Sequence, residues 1–337
     1  MTDTDNGATG ARHGVRRALF IAFAVVVVAC VAIVGVTMYV NDHRASGNPF
    51  AGRTLYVNPD STAAAAAASA TASGGASAAV FTRIAAQPTA IWLLPEVHGI
   101  GAVGTYVSSV ISAADTANAM PVFTIYGIPD RDCSTKESSG GLSTTDYPTW
   151  IAEIAAALQG HTTAVILEPD AIASSIDCND TAERVTELKA DIAALKDTGA
   201  DIYLDAGHST WEPVATMAPI MNEIGMSDIR GFATNVSNFN STDSETTYAN
   251  ALSAKTGDSH YIIDTSRNGN GGTSDWCNPP GRALGHTPTV IDNGTAQDAD
   301  LWVKQPGESD GTCNGGPTAG TWWDAGALAL ATNAGWN

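Results

Sequence analysis

The chain has 337 residues, enough to bury a large core as one big α/β domain or as two smaller ones. Its 35 aspartates and glutamates outnumber 16 lysines and arginines, which gives a formal charge of -19. A surface of this sign does not follow a phosphate backbone, so nucleic acid is not expected as a partner. A neutral ligand, including an uncharged polysaccharide, remains compatible with it.

A long uncharged apolar segment, residues 18–40, follows a basic N-terminus. At about 1.5 Å per residue this run is long enough to cross a bilayer. The arginines before it predict a cytoplasmic segment 1–17, a transmembrane anchor, a short linker 41–47 and an extracytoplasmic remainder, 48–337. An uncleaved anchor is favoured over a cleaved signal peptide because the run is long and ends in bulky residues.

Five cysteines are present, and one of them, Cys30, lies inside the apolar run. A lipoprotein-type site at Cys30 is less natural, because the apolar stretch continues past it. The other four are Cys133, Cys178, Cys277 and Cys313. An even number in an oxidising compartment predicts two disulfides, with three pairings possible. None of them forms a CxxC pair, so a zinc site is not expected.

The exported part opens with an alanine-rich stretch, Thr62 to Ala79, that is compatible with two structures. Its low complexity is typical of a flexible spacer, whereas its alanine content suits a helix broken around Gly74 and Gly75. The sequence does not choose between them.

From Ala90 onward, short apolar runs alternate with longer helix-like segments such as 144–158 and 182–196. The strand candidates are AIWLL, MPVFTIYGI, TAVILEPD, ADIYLDAG, RGFATNVSN, HYIIDTS and DADLWVKQPG. Near-continuous apolar strands between helices predict an α/β fold with a parallel sheet that is covered on both faces. Seven units suggest a distorted, incomplete seven-stranded β/α barrel of the TIM-like type, with its chemistry at the carboxyl ends of the strands.

Acidic residues stand at or just beyond several of these strand ends, namely Asp132, Asp170, Asp205, Asp264, Glu308 and Asp310. One such residue is more often a helix cap or a loop hydrogen-bonder than a catalyst. Several carboxylates aimed at one barrel mouth repel one another, however, and some must then have a raised pKa, as a general acid requires. The signatures GxSxG, HExxH and GxxxxGK[ST] do not occur in the sequence.

Aromatic residues accompany these acids. Trp92, Trp211 and Trp276 lie at or near predicted strand ends, where a flat ring can stack on a sugar, although a lone tryptophan is more often a core residue. His208, in DAGHSTW, is the histidine at a strand end, and taken alone it is more often a structural hydrogen-bonder.

Eight segments together resemble the catalytic domain of the family 6 cellulases, and they occur in that family's order. They are NPFAGRTLYVNP, YGIPDRDC, ILEPDAIA, YLDAGHSTW, FATNVSNF, IDTSRNGNG, WCNPPGRALG and LWVKQPGESDGTC, and they span Asn48 to Cys313. One departure is Gly127, which stands where a larger polar residue is expected after the tyrosine.

The resemblance implies a role for each matching residue. Asp170 matches the general acid, Asp132 the aspartate that supports its raised pKa, and Asp310 the candidate base. Tyr126 matches the tyrosine beneath the distorted sugar ring, and Ser138 lies where the family's mobile loop supplies a water-holding serine. The implied glucan-binding residues are Trp92, Arg131, Asp205, His208, Trp211, Asn235, Trp276, Lys304 and Glu308.

The resemblance also implies the disulfides Cys133 with Cys178 and Cys277 with Cys313, and hydrolysis with inversion. An inverting enzyme holds its two carboxyl groups roughly 6.5 to 9.5 Å apart. No metal or organic cofactor is expected, and the chain is expected to act as a monomer. Because no long roofing insertions are found, an open-cleft endoglucanase is favoured over a cellobiohydrolase. A non-catalytic glucan-binding protein is less favoured, since all three aspartates are present.

Overall fold

An eight-stranded, mostly parallel sheet forms the centre of the protein in a computed structural model, which describes residues 47–136 and 138–336. The strands are β1 Ile91–Leu93, β2 Val122–Ile125, β3 Ala164–Leu167, β4 Asp201–Asp205, β5 Gly231–Thr234, β6 His260–Asp264, β7 Thr289–Val290 and β8 Gln297–Leu301. Each of the seven predicted strand segments overlaps one of them. The residues of β2, β3, β5 and β8 are all buried, as expected for strands covered on both faces.

Helices follow most of the strands. They are α1 Thr62–Ser73, α2 Ala78–Ala85, α3 Val103–Thr116, α4 Tyr147–Leu158, α5 Ala171–Cys178, α6 Thr181–Leu195, α7 Val214–Ile224, α8 Thr242–Ser253 and α9 Asp324–Asn333. The main apolar core, which includes Leu93, Ile151, Leu188 and Phe232, lies between sheet and helices. The predicted helices 144–158 and 182–196 correspond to α4 and α6.

The sheet is a curled, incomplete barrel of the TIM-like type. Its strand order is β1-β2-β3-β4-β5-β6-β8-β7, and every pairing is parallel except β7 with β8. Ala90, just before β1, donates its N–H to the carbonyl oxygen of Trp302, just after β8, at 2.9 Å. This hydrogen bond links the first strand of the curled sheet to its last parallel strand. The prediction of seven strands was wrong by one, because β7 has only two residues, too few for a recognisable apolar pattern.

The alanine-rich stretch is helical. Ser61 caps α1 by accepting a hydrogen bond from Ala64 N, and Gly74 ends the helix in the left-handed conformation with φ 64°. The buried Ala63 belongs to an apolar cluster with Phe81 of α2 and with residues of α9. Small side chains let the helices approach closely, so the low complexity reflects packing and not a flexible spacer.

The predicted transmembrane segment 18–40 lies outside the described residues. Among the helices that are described, none combines the length and apolarity needed to cross a bilayer.

Candidate active site

A cleft of about 560 Å³ opens at the carboxyl ends of the parallel strands. Its walls come mainly from the segments that follow β2, β3, β4, β5, β6 and β8. Ten predicted site residues line it, namely Trp92, Tyr126, Asp132, Ser138, Asp170, His208, Trp211, Trp276, Lys304 and Asp310. The expected convergence of strand ends on one mouth therefore brings these side chains together.

An unusual backbone presents Asp170 at the floor of this cleft. Asp170 has a left-handed backbone with φ 67°, and Glu168, on the other side of Pro169, has φ 47°. Such conformations cost about 1–3 kcal/mol each in a residue with a side chain. Asp170 occupies the N-cap position of α5, yet its side chain does not cap the helix. The simpler prediction, that this aspartate is a helix cap, does not account for its side chain.

The Asp170 carboxyl is surrounded by other carboxyls. Burial raises the pKa of Asp170 well above its usual range, and the charges of Asp205, Asp132 and Asp310 raise it further. Within the described residues no hydrogen bond engages this carboxyl, so its proton is available to a ligand in the cleft. A carboxylic acid that stays protonated and faces a cleft is suited to general acid catalysis.

Asp132 is the centre of a small hydrogen-bond network beside Asp170. Its Oδ2 accepts the Tyr126 hydroxyl at 2.7 Å and the Ser138 hydroxyl at 2.6 Å. Burial first, then the charge of Asp132, raises the pKa of Tyr126 well above its usual range, so this tyrosine remains a donor. Tyr126 also contacts the Trp92 ring edge to face, with centroids 5.2 Å apart.

Arg131 lies behind this network and is 4% exposed, so it does not line the cleft. Its guanidinium donates to Tyr126 O at 2.6 Å and to Ser138 O at 2.8 Å, and it lies over the Tyr126 ring. A side chain with these contacts holds the loop that carries Asp132 and Ser138.

Asp310, on the opposite wall, has a cationic partner that the sequence analysis missed. Arg267 Nη1 donates to both Asp310 carboxylate oxygens at 2.9 Å, and Asn278 N donates to Oδ2 at 3.0 Å. Asp310 N in turn donates to Asn278 Oδ1 at 2.8 Å. The motif SRNGNG contains Arg267, but nothing in it points to a partner 43 residues away.

Two disulfides fasten the two walls. Cys133 pairs with Cys178 and joins the Asp132 segment to the end of α5, while Cys277 pairs with Cys313 and joins the Asn278 and Asp310 segments. Both pairings implied by the resemblance are confirmed.

His208 and Trp211 lie together on the segment after β4, with ring centroids 5.4 Å apart. Burial lowers the pKa of His208 to about 4, so the imidazole is neutral. Asn240 Nδ2 lies 2.9 Å from His208 Nδ1, which makes Nδ1 the acceptor and places the ring proton on Nε2. Trp211 Nε1 is fixed by Asp177 Oδ2 at 3.2 Å.

Trp92 and Trp276 also line the cleft. Trp92 Nε1 donates to Val303 O at 2.9 Å, and the ammonium of Lys304 lies 6.0 Å from the centre of its ring. Trp276 is 44% exposed, and Lys136 lies 5.3 Å from its ring centre. The described chain buries Trp150, Trp302 and Trp336 in its interior, whereas Trp211 and Trp276 line the cleft, and Trp92 lines the cleft and also packs against an apolar cluster of the sheet.

No group of three or more histidine, cysteine, aspartate or glutamate side chains could hold a metal ion within residues 47–136 and 138–336.

The family model for glycosyl hydrolases family 6 matches residues 50–334. The chain belongs to glycosyl hydrolase family 6. This membership confirms the resemblance seen in the sequence and the prediction of a glycoside hydrolase class.

Relatives include enzymes named for two modes of action. The chain is 42% identical to endoglucanase A of Cellulomonas fimi over 261 residues, which cover 77% of this chain and 57% of that protein. It is 31% identical over 357 residues to a probable 1,4-beta-D-glucan cellobiohydrolase C of Aspergillus fumigatus, covering 86% and 78%. The chain therefore spans little more than half the length of the first of these relatives.

A solved structure of the endoglucanase Cel6 from Mycobacterium tuberculosis, in complex with a methyl-cellobiosyl-thio-cellobioside, is also similar. The two chains are 44% identical with a TM-score of 0.81, over 86% of this chain and 100% of that chain.

The family 6 departure at Gly127 has a packing reason. A Cβ at this position would lie 2.6 Å from the ring of Trp150 on α4, so a larger side chain does not fit beside that ring. Gly127 N donates instead to the buried Glu168 carboxylate at 2.9 Å.

Three more predicted binding residues of the family 6 site lie behind the cleft surface. Asp205 is buried, and its Oδ1 accepts hydrogen bonds from Asp170 N and Gly207 N, both at 2.9 Å. Asn235 is also buried and bonds to backbone groups of its own loop and of β6. Glu308 accepts from the Thr62 hydroxyl at 2.8 Å and approaches Lys304 at 3.7 Å. These contacts support the cleft wall.

Proposed function

We propose that this family 6 member hydrolyses β-1,4-glucosidic bonds in cellulose or a related β-glucan, with inversion at the anomeric carbon. One observation carries the proposal: an unbonded Asp170 whose pKa is raised by burial shares a cleft with Asp310, whose charge is balanced by Arg267. Two carboxyl groups with such different environments suit a general acid and a general base.

On the acid side, Asp170 gives its proton to the departing glycosidic oxygen. The charge of Asp132 raises the pKa of Asp170. The Tyr126 and Ser138 hydroxyls, both bound to Asp132, order the space below the cleaved bond and can hold a water molecule there. Proton donation of this kind contributes typically 10²–10⁴-fold to the rate.

On the base side, Asp310 accepts a proton from the attacking water. Its Oδ2 is occupied by Arg267 and Asn278 N, whereas Oδ1 accepts only Arg267 among the described residues. Oδ1 therefore keeps a lone pair for water, and Arg267 fixes the direction of that lone pair. The fixed carboxylate positions the water in the geometry that displacement needs.

Neutral, flat groups suit an uncharged sugar chain. Trp92, Trp211 and Trp276 offer ring faces, and the Nε2–H of neutral His208 offers a hydrogen-bond donor. Lys304, the half-buried Glu308 and the buried Arg131, Asp205 and Asn235 contribute by holding these surfaces. The acidic chain does not repel such a ligand, because the ligand has no charge.

Endo action is favoured by the alignments. The alignment with the cellobiohydrolase runs over 357 positions but uses 86% of this 337-residue chain, so several tens of its positions face gaps here. The alignment with the endoglucanase runs over 261 positions and uses 77% of the chain, which leaves almost no such gaps. The exo-acting relative thus carries insertions that this chain lacks, and roofing loops would be such insertions.

We further propose that the catalytic domain acts outside the cytoplasm, held there by residues 18–40. The two disulfides support an oxidising compartment. N-terminal sequencing of the mature protein tests the anchor, since a mature chain beginning after Val40 would contradict it.

The activity is tested on carboxymethyl-cellulose, crystalline cellulose and mixed-linkage glucan. We expect a rapid fall in the viscosity of carboxymethyl-cellulose with few reducing ends formed, and α-configured products in freshly recorded NMR spectra. Release of cellobiose alone, with unchanged viscosity, would favour the cellobiohydrolase alternative. Products that form with retained configuration would contradict the mechanism.

A further inference from the structure

Behind the wall that carries Asp170, three buried side chains form a chain of hydrogen bonds. Tyr147 lies on α4, Glu168 directly follows β3, and Asp191 lies on α6. The Tyr147 hydroxyl is 2.8 Å from Glu168 Oε1 and 2.8 Å from Asp191 Oδ2. Their exposed fractions are 2%, 0% and 3%, so water does not share these contacts.

The hydrogen-bond pattern shows that this trio holds one proton more than it would with both carboxyls ionised. A tyrosine hydroxyl has a single proton and donates one hydrogen bond, so it cannot donate to two ionised carboxylates at once. One of the two carboxyls must therefore be protonated and donate to the tyrosine oxygen. If neither were, two negative charges would share a buried hydroxyl, at a high desolvation cost.

The backbone contacts indicate which carboxyl is protonated. Glu168 accepts hydrogen bonds from Gly127 N at 2.9 Å and Ile128 N at 3.2 Å, and such bonds stabilise a carboxylate. In the described chain no backbone N–H reaches the Asp191 carboxyl. The chain of donors then runs from Asp191 to Tyr147 and from Tyr147 to Glu168.

The surrounding charges agree with this assignment. The charged groups that act on the trio are Arg131, Arg184 and Glu187, and Asp180 pairs with Arg184 at 3.7 Å. Arg184 is already engaged by Glu187 at 2.8 Å. Burial raises the pKa of Asp191 well above its usual range, and burial also raises that of Glu168 to about 7.

Glu168 connects this trio to the catalytic groups. Its carboxylate holds Gly127 and Ile128, at the start of the loop that carries Asp132. Along the chain it precedes Asp170 by two residues. A shift of Glu168 would therefore move Asp132 relative to Asp170.

We propose that Asp191, Tyr147 and Glu168 are positioning residues, a buried protonated relay that fixes Asp132 against Asp170. This inference deepens the proposed function and rests on it for the catalytic consequence. The relay itself is independent of the substrate, because it is a property of the folded protein.

The test compares Asp191→Asn and Glu168→Gln with the control Glu183→Gln, which removes a charge from the exposed face of α6. An asparagine amide donates to Tyr147 as protonated Asp191 does, so Asp191→Asn should keep Glu168 in place and lose far less kcat than Glu168→Gln. In Glu168→Gln, one of the two carboxylate oxygens is replaced by an amide NH₂ group. The side chain therefore has fewer acceptor lone pairs for the backbone N–H groups of Gly127 and Ile128. The kcat of this variant on carboxymethyl-cellulose should fall on the order of tenfold to a hundredfold, with little change in KM.

Thermal unfolding from pH 5 to 9 gives a readout that does not depend on activity. Because the pKa of Asp191 is raised in the folded state, the folded protein binds the extra proton and loses stability as pH rises from the unfolded value. The Tm advantage of Asp191→Asn over the unmodified protein should therefore grow with pH, whereas Glu183→Gln should show no such growth.

The relay is overturned if Asp191→Asn and the unmodified protein unfold with parallel pH dependence, or if Asp191→Asn loses as much kcat as Glu168→Gln at every pH. If Glu168→Gln fails to fold, the Asp191→Asn comparison still decides. An unmodified protein with no activity on any β-glucan would instead contradict the proposed function, and the unfolding experiment would still support or overturn the relay.

Discussion

Each wall of the cleft carries an aspartate, and the two aspartates have opposite environments. On the wall built after β2 and β3, Asp170 is unbonded and surrounded by other carboxyls, so its pKa is raised. On the wall built after β6 and β8, Asp310 is held by Arg267 and by Asn278 N. Each wall is fastened by one disulfide, so both arrangements are anchored in a similar way.

This difference indicates that the environment of each aspartate decides whether it suits the role of general acid or of general base. A desolvated acid without a cation keeps its proton, and an ion-paired acid keeps its charge. Asp132 belongs to the first wall, but its carboxylate accepts two hydroxyl hydrogen bonds, and its charge raises the pKa of Asp170. Changing one wall at a time should therefore produce distinct kinetic defects.

The largest expected effect is that of Asp170→Asn. The asparagine keeps the shape but has no proton to give, so turnover on cellulose should fall about 10²–10⁴-fold while binding persists. An aryl cellobioside with a very acidic phenol needs no protonation of its leaving group, and on it the variant should recover much of its rate. An equal loss on both substrates would mean that Asp170 is not the general acid, and the proposed difference between the two walls would be wrong.

The second effect concerns the opposite wall. Asp310→Asn should lose activity on both substrates, because water activation does not depend on the leaving group. Arg267→Lys loses the planar guanidinium, whose Nη1 holds Asp310 while its Nη2 donates to Ser237 O, so kcat should fall on the order of tenfold to a hundredfold, again on both. Parallel assays of the two variants check this, and recovery of Asp310→Asn on the aryl cellobioside would show that Asp310 and Asp170 act on the same side of the reaction.

Much of the fold follows from the sequence because its signal is local. Each apolar run that the sequence marks as a strand forms one, and the cleft aspartates lie on the segments that follow these strands. The alanine-rich stretch was ambiguous, since only contact with Phe81 and α9 shows that its small side chains are packed. Strand β7 carried too few residues to be recognised.

The partners inside the site could not be predicted in the same way. Arg267 and Asp310 are 43 residues apart, and Tyr147 and Asp191 are 44 residues apart. No spacing rule connects residues on different β/α units, so a tertiary structure is needed to pair them. The same limit applies to Asp205 and Asn235, for which the family resemblance implied ligand contact but whose side chains are buried.

A smaller effect distinguishes stacking tryptophans from core tryptophans. Trp211→Ala and Trp276→Ala should raise KM roughly three- to tenfold, as expected for ring contacts of about 0.5–1.5 kcal/mol, with unchanged Tm. The matched control is Trp150→Ala, which removes a fully buried ring and should cost about 3–5 kcal/mol of unfolding free energy. Calorimetry and kinetics on the three variants check this, and unfolding of Trp211→Ala or Trp276→Ala would make that ring a core residue.

The smallest expected effect, a displaced pH profile, comes from Asp205→Asn. After burial, the charge of Asp205 is the largest contribution that raises the pKa of Asp170. An asparagine keeps the Oδ1 that accepts hydrogen bonds from Asp170 N and Gly207 N, so the geometry should persist. Without the charge, the pKa of Asp170 falls. Activity needs protonated Asp170 and is lost as pH rises through that pKa, so the alkaline limb of kcat/KM should move to lower pH.

The same substitution should make the folded protein relatively more stable at alkaline pH. Burial raises the pKa of Asp205 from 3.8 to about 7, so the folded protein takes up a proton that the unfolded chain releases above about pH 4. The unmodified protein therefore loses stability as pH rises through about 7, and Asp205→Asn should be relatively more stable above that pH. Asp115→Asn, which changes an exposed carboxyl of α3, is the control for both measurements and should shift neither. If the alkaline limb of Asp205→Asn stays in place, Asp132 and burial alone keep Asp170 protonated. The raised pKa of Asp170 would then depend on the loop after β2 and not on Asp205 of β4.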